Sequence, residues 1–186
     1  PTTNYQLPTT NYQLPTTNYS IRDFLYIMEP NHILPATMIK FSSYLSPRRL
    51  AIVDAPDKSA AILRVLELLR GWPQISDHER FVREVLAREA MMPTNLNLGI
   101  GVPHARSATV REPIAALGVL SRPVAYGGAS PAPVGIIVAI GMPQDANDNY
   151  LRYLARISCV FGKEENRLAV QACRTPDDLC RLVSQF

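Results

Sequence analysis

The sequence has no apolar run approaching the roughly 20 residues that a membrane-spanning helix needs, and its N-terminus lacks the basic and then apolar pattern of a secretory signal. We therefore expect a cytoplasmic domain without direct membrane insertion. The formal net charge is +3, but the basic residues form no stripe interleaved with aromatic residues. This scatter argues against a nucleic-acid partner.

Cysteine is scarce, with three residues in a chain of 186. Cys159, Cys173 and Cys180 are widely spaced and fall within apolar helical patterns, so we expect three buried, reduced thiols. No cluster of His, Cys and Asp has metal-ligand spacing, and no Ser-His-Asp arrangement can be recognised. The sequence therefore predicts neither a metal site nor a hydrolytic triad.

The first 37 residues differ in character from the rest. The motif PTTNYQL occurs at 1–7 and 8–14, and PTTNY follows at 15–19. A proline in every repeat prevents a continuous helix, so the tract should be extended. We interpret residues 1–37 as a repeat-containing leader of non-native origin or, alternatively, as a native linker to another module. His32 lies in this segment and is assigned no role.

From Met38 onward, helical and strand-like patterns alternate. Apolar runs at 51–53, 98–102, 114–120 and 134–141 predict strands, and the last run is apolar throughout, as in a central strand covered on both faces. Amphipathic segments with helical spacing lie between and after them. Residues 38–186 are therefore predicted to form a single α/β domain, with a mixed β-sheet flanked by helices on both faces.

Capping patterns indicate where some helices begin. Ser76 with Glu79 three residues later predicts a capping box, which places His78 in an exposed first turn as a solvated residue. Thr175 followed by Pro176 predicts the start of the last helix.

His104 lies in the run NLGIGVPHARS. Gly99 and Gly101 within a strand pattern indicate close approach by a ligand or another backbone segment, and Pro103 makes the backbone before His104 rigid. A neutral imidazole is a nucleophile, and a nearby guanidinium can hold two phosphoryl oxygens. The residues alone leave two interpretations open: phosphoryl transfer through a solvent-facing His104, or a structural histidine at the end of a strand.

The run AREAMMPTNLNLGIGVPHAR at 87–106 resembles the active-site segment of the mannitol/fructose-type enzyme IIA domain of the bacterial phosphoenolpyruvate-dependent phosphotransferase system, a domain that the nitrogen-regulatory branch shares. The residues at the family spacing are Arg88-Glu89, Thr94, Gly99 and Val102-Pro103-His104-Ala105. Flanking segments such as SRPVAYGGASPAPVGIIVAIGMPQ extend the resemblance over residues 38–186.

The resemblance implies that His104 accepts a phosphoryl group from the phosphohistidine of HPr or an HPr-like phosphocarrier protein. His104 then passes the group to a cysteine of an enzyme IIB, or its phosphorylation state signals to a transporter or regulator. Arg88 and Thr94 are implied to be phosphoryl-binding residues: Arg88 steadies the phosphoryl group, and Thr94 with the loop amides shapes the pocket. No metal or cofactor is implied, because positioning and arginine supply the electrostatics.

The sequence departs from the family pattern at three places. Family members usually carry a second histidine facing the nucleophile, and Tyr150 stands at that place. Tyrosine can donate a hydrogen bond to a phosphoryl oxygen but cannot become cationic, so Tyr150 is either a phosphoryl-binding residue or an aromatic residue on a helix face. Asn95 and Asn97 replace loop glycines, and Gly135 replaces an acidic residue that is frequent in the family.

Three functions remain open on these residues. The first is a phosphohistidine carrier. The second is a degenerate enzyme IIA-like module that controls a transporter, kinase or transcription regulator with little or no phosphotransfer, which the missing second histidine favours. The third is a structural interaction domain in which His104 has no chemical role.

Overall fold

The structure is a computed structural model that describes residues 39–96, 98–127 and 132–186 of the chain. The predicted leader at residues 1–37, with His32, and the loop residue Asn97 lie outside these ranges. Within the described residues, the chain forms a single α/β domain with five α-helices and a five-stranded mixed sheet.

Two 3₁₀ turns, Phe41–Tyr44 and Pro47–Arg49, precede the first strand. The helices of the described residues are α1 (Lys58–Glu67), α2 (His78–Met91), α3 (Asn147–Gly162), α4 (Glu164–Ala172) and α5 (Pro176–Val183). The strands are β1 (Leu50–Val53), β2 (Ile100–Gly101), β3 (His104–Ser107), β4 (Ile114–Val124) and β5 (Val134–Pro143).

The sheet is mixed, as predicted. Its order is β1-β4-β5-β2, and β3 also pairs with β5. Strand β4 is antiparallel to β5, whereas the other pairings are parallel. Nearly every residue of β5 is buried although successive side chains point to opposite faces, so both faces of the sheet are covered.

Strands β2 and β3 are two pieces of one edge of the sheet. The sequence predicted a single strand at 98–102, but pairing stops after Gly101 and resumes at His104. Pro103 has no N–H to donate and fixes its own backbone angle, so the ladder is interrupted there. The Pro103 carbonyl still accepts a hydrogen bond from the backbone N–H of Ile140 at 3.0 Å. This interruption places His104 at the first position of β3.

The capping patterns are correct at one helix and wrong at another. Helix α5 begins as predicted, with the Thr175 hydroxyl accepting a hydrogen bond from the Asp178 N–H at 3.1 Å. Helix α2 is instead capped by Asp77, which accepts from the Arg80 N–H. Ser76 is unavailable as the cap because its N–H and its hydroxyl both donate to the Thr109 carbonyl, at 2.8 and 3.0 Å.

Two expectations about burial are corrected. His78 is half-buried rather than solvated, because its Nε2 donates to the Leu66 carbonyl at 2.9 Å and so ties α2 to α1. The cysteines are reduced, as expected, but only Cys173 is buried, whereas Cys159 is exposed and Cys180 is intermediate. Cys159 and Cys180 lie in helices as predicted, with Cys159 on the solvent side of α3, whereas Cys173 follows the end of α4.

Candidate functional site

His104 lies on the outer strand of the sheet, where β3 runs parallel to β5. Its Nδ1 is 2.7 Å from the carbonyl oxygen of Val102. A carbonyl oxygen can only accept a hydrogen bond, so Nδ1 carries the ring hydrogen and donates it. In the neutral ring, Nε2 therefore keeps its lone pair. The local geometry thus leaves Nε2 as the ring nitrogen with a free lone pair.

The imidazole of His104 is largely shielded from solvent. The residue is 8% exposed, whereas the sequence predicted a side chain facing solvent. Burial lowers the pKa of His104 from 6.5 to about 4; the hydrogen bond to Val102 opposes this change, and the charges of Arg88 and Arg106 reinforce it. The ring is consequently neutral at pH 7, in the protonation state that can attack an electrophile.

Arg88 lies in the last turn of α2, where its Nη1 donates to the Met92 carbonyl at 3.1 Å. A guanidinium has five N–H donors, so this bond leaves others for a ligand. Helix α2 packs against β3, the strand that begins at His104, and the charge of Arg88 lowers the pKa of the imidazole. Arg88 is therefore brought to the same region of the molecule as His104.

Arg106 was not singled out in the sequence. It stands two residues after His104 in β3, so both side chains leave the same face of the strand, and its charge also lowers the pKa of His104. The alternation of side chains along a strand would have placed Arg106 on the same face as His104, but β3 was not predicted from the sequence.

Tyr150 lies in the first turn of α3 and is 6% exposed. Its ring centroid is 5.2 Å from that of His104, and the two ring planes are tilted by 40°. The structure thus brings Tyr150 against the imidazole, at the place where the resemblance puts a second histidine. Its aromatic surface contributes to shielding His104 from water.

Thr94 lies in the loop between α2 and β2, and its hydroxyl faces the inside of the loop. The hydroxyl oxygen contacts the Glu89 carboxylate and is 2.8 Å from the Val102 carbonyl oxygen. The backbone N–H of Thr94 also donates to the Glu89 carboxylate, at 3.1 and 3.2 Å to its two oxygens. The Thr94 hydroxyl is therefore engaged by protein groups next to the histidine.

Glu89 belongs to the Arg-Glu pair at the family spacing, but the sequence predicted no role for it. The residue is 3% exposed, and its Oε1 is 3.0 Å from Lys58 Nζ on α1. The spacing of four residues from Phe81 to Val85 to Glu89 places this carboxylate on the buried stripe of α2. That spacing is the feature of the sequence that indicates a buried carboxylate at Glu89.

Glycine is required at two positions of the loop for steric reasons. Gly99 has a φ of 74°, a conformation that L side chains rarely adopt. At Gly101 a Cβ would stand 2.6 Å from the Tyr126 ring, so a larger residue would displace that ring. Asn95, which replaces a family glycine, forms an antiparallel bridge with Gly101. The loop that carries Thr94 is thus fixed by backbone contacts on both sides.

Among the described residues, no group of three or more His, Cys, Asp and Glu could hold a metal ion. In the same part of the chain, no helix has the length and apolar character that crossing a membrane requires.

Residues 44–186 match the family described as "Phosphoenolpyruvate-dependent sugar phosphotransferase system, EIIA 2". The chain belongs to this family. A similar curated protein is the PTS system 2-O-alpha-mannosyl-D-glycerate-specific EIIABC component of Escherichia coli, which is 32% identical over 124 residues, covering 66% of this chain and 19% of the relative. This EIIA chain thus spans about a fifth of that relative's length.

A second relative has nearly the size of the matched region. The nitrogen regulatory protein of Pseudomonas aeruginosa is 28% identical over 151 residues, which cover 78% of this chain and 96% of the relative. A solved structure, the complex of enzyme IIAMtl and phosphorylated enzyme IIBMtl from Escherichia coli, matches with a TM-score of 0.66 and 16% identity, covering 76% of this chain and 98% of the other. The EIIA chain therefore has the mannitol-type enzyme IIA fold.

Proposed function

We propose that this EIIA chain is a phosphohistidine carrier in which His104 Nε2 receives the phosphoryl group. The observation that carries the proposal is the 2.7 Å hydrogen bond from Nδ1 to the Val102 carbonyl, which leaves Nε2 with its lone pair. The lowered pKa keeps the ring neutral, and the charge of Arg88 acts on the same ring. Together these features provide a nucleophile and a cation at one place.

The donor is the phosphohistidine of HPr or of an HPr-like protein. The Nε2 lone pair attacks phosphorus, the bond between phosphorus and the donor nitrogen breaks, and its electron pair returns to the donor imidazole. Arg88 neutralises the charge on the equatorial phosphoryl oxygens, and the Tyr150 hydroxyl donates a hydrogen bond to one of them. Residues 38–186 are the domain that performs this step, in the cytoplasm.

The acceptor is a cysteine of an enzyme IIB. Its thiolate attacks the same phosphorus, and the N–P electron pair returns to His104 Nε2. Enzyme IIBMtl is the partner of the related Escherichia coli enzyme IIAMtl in their solved complex, which supports this choice. The similarity to a nitrogen regulatory protein supports a second use, in which the phosphorylation state of His104 controls a transporter or regulator.

A degenerate module is the second candidate function, and one observation favours it. His104 is only 8% exposed beneath Tyr150, which stands where the resemblance puts a second histidine. A donor protein must reach Nε2, so tight coverage by Tyr150 would slow or prevent transfer. The chain would then bind a transporter or regulator through the same face without carrying phosphate.

One experiment separates the two functions. The full chain is incubated with radiolabelled phosphoenolpyruvate, enzyme I and HPr, and the label on the chain is followed before and after mild acid treatment. A carrier acquires one acid-labile phosphoryl group, and the His104→Ala variant acquires none. Absence of label on the wild-type chain, with HPr itself labelled in the same tube, would reject the carrier and favour the module.

A further inference from the structure

A continuous series of contacts links the first helix of the domain to the imidazole of His104. Lys58 Nζ is 3.0 Å from Glu89 Oε1, and the Glu89 carboxylate binds both the N–H and the hydroxyl of Thr94. The Thr94 hydroxyl oxygen is 2.8 Å from the Val102 carbonyl oxygen, which receives the Nδ1 hydrogen of His104 at 2.7 Å.

The first link of this series is a buried carboxylate. Glu89 is 3% exposed, so its charge has lost most of its hydration and must be balanced by protein groups. Lys58 supplies the opposite charge, and Thr94 supplies two hydrogen-bond donors. Removing the charge of Glu89 would weaken the acceptor that fixes both the backbone and the side chain of Thr94, because a neutral amide oxygen accepts less strongly than a carboxylate.

The second link is a pair of bonds between the two ends of the loop. The Val102 N–H donates to the Thr94 carbonyl at 2.8 Å, and the Thr94 hydroxyl lies at the same distance from the Val102 carbonyl. The Glu89 carboxylate and this carbonyl both lie within hydrogen-bonding distance of the one hydroxyl hydrogen. Thr94 thus contacts Val102 at both its N–H and its carbonyl.

The third link sets the chemistry of the ring. Which nitrogen of a neutral histidine carries the hydrogen depends on the hydrogen bond that the ring makes. If the Val102 carbonyl turns away, the hydrogen is free to move to Nε2, and the lone pair on that atom is lost. A rotation of one carbonyl group thus decides whether the reactive nitrogen is available.

We propose that Glu89 is a positioning residue for the phosphoryl-accepting histidine, acting through Thr94 and the Val102 carbonyl, with Lys58 as its counter-charge. Its effect on the transfer rate rests on the proposed function, whereas its effect on the His104 tautomer does not. In this assignment Thr94 acts on the imidazole from behind, through the backbone. Its hydroxyl does not touch the phosphoryl group.

The tautomer of His104 can be measured by ¹⁵N NMR of the histidine ring nitrogens in the full chain, with the His104→Asn spectrum identifying its signals. In the wild type we expect the hydrogen on Nδ1. In Glu89→Gln and Thr94→Val, the ratio of the Nδ1–H to the Nε2–H form should fall by about 10-fold, which corresponds to the loss of one hydrogen bond. Thr94→Ser keeps the hydroxyl and should restore the wild-type ratio.

The matched control is Glu84→Gln, which removes a carboxylate from the same helix where it pairs with Arg80 away from the loop. It should leave the tautomer ratio unchanged. Transfer to each variant should follow the population of the Nδ1–H form, so Glu89→Gln and Thr94→Val should be slower than the wild type and Thr94→Ser should not.

The outcomes separate this proposal from the proposed function. A wild-type tautomer ratio in folded Thr94→Val and Glu89→Gln overturns the proposal, whatever the transfer rates are. If Glu89→Gln does not fold, the comparison of Thr94→Val with Thr94→Ser decides alone, and equal ratios in those two variants overturn it. A wild-type chain that shows the predicted tautomers but accepts no phosphate rejects the carrier and leaves the positioning role standing.

Discussion

The ring of Tyr150 packs against the ring of His104, with 5.2 Å between their centroids and 40° between their planes. This contact has two opposing consequences for the phosphoryl transfer that we propose. It removes water from the imidazole, which keeps the ring neutral and nucleophilic. It also covers part of the surface that a donor protein must reach, and tyrosine brings no positive charge in return.

We therefore expect Tyr150→His to accelerate phosphoryl transfer to His104. A histidine side chain is smaller, and in its cationic form it makes a charge-assisted hydrogen bond to a phosphoryl oxygen, about twice as strong as a neutral one. The expected gain is on the order of 10-fold in the initial rate of labelling by phosphorylated HPr. Tyr150→Phe, which keeps the ring and removes the hydroxyl, is the control and should be slower than the wild type. A Tyr150→His variant that is unchanged or slower would show that the tyrosine is suited to another task.

Arg88 should be essential for the rate of transfer. Its charge acts on the His104 ring, and a cation placed there stabilises the negative charge of the phosphoryl group in the transition state. Arg88→Ala should slow labelling by about 100-fold or more, the loss typical of one preorganised donor. Arg83→Ala removes an exposed arginine from the same helix and should have little effect. Equal rates for the two variants would remove Arg88 from the mechanism.

The buried, neutral state of His104 predicts a pH dependence of stability. The pKa of His104 is about 4 in the folded chain and near 6.5 when the chain is unfolded, so the unfolded state binds the proton first as pH falls. The free energy of unfolding should decrease between pH 6.5 and pH 4, by about 3 kcal/mol in total. Urea unfolding across this pH range measures the change in the free energy of unfolding.

Carboxylates titrate in the same range, so the wild type is compared with His104→Asn, whose free energy of unfolding should fall less with decreasing pH. Parallel curves would contradict the lowered pKa.

Much of the fold follows from local sequence patterns. Strands β1, β4 and β5 coincide with apolar runs, and the start of α5 follows from Thr175 and Pro176, because these signals lie within a few residues of each other. The predictions were wrong where a residue distant in the sequence supplies the hydrogen bonds that decide the local structure. Ser76 could not cap α2 since Thr109 holds it, and β3 exists because β5 supplies its hydrogen-bonding partner.

Resemblance proposed residues for the site, but their contacts could not be predicted from the sequence. Resemblance selected His104, Arg88, Thr94 and Tyr150; the charge of Arg88 lowers the pKa of the His104 imidazole, and Tyr150 packs against that ring. The engagement of Thr94 by Glu89 was hidden, because a helix pattern shows that a carboxylate is buried but not what it binds. The low exposure of His104 likewise depends on the packing of α3, which no local pattern describes.

Lys58→Met should destabilise the domain because it leaves the buried carboxylate of Glu89 without its counter-charge. The pair joins α1 to α2 at 3.0 Å, with the Lys58 side chain partly exposed and Glu89 almost fully buried. Removing one partner of a buried pair typically costs more than the pair itself contributes, and partial exposure of the lysine reduces the effect here to about 2–3 kcal/mol. Urea unfolding at pH 7, with the denaturant m-value held constant, provides the measurement.

The control is Arg80→Met, which breaks the exposed pair with Glu84 on α2 and should cost less than about 1 kcal/mol. Equal losses for the two variants would mean that Glu89 is balanced without Lys58, by its other neighbours such as Thr94 and Tyr126.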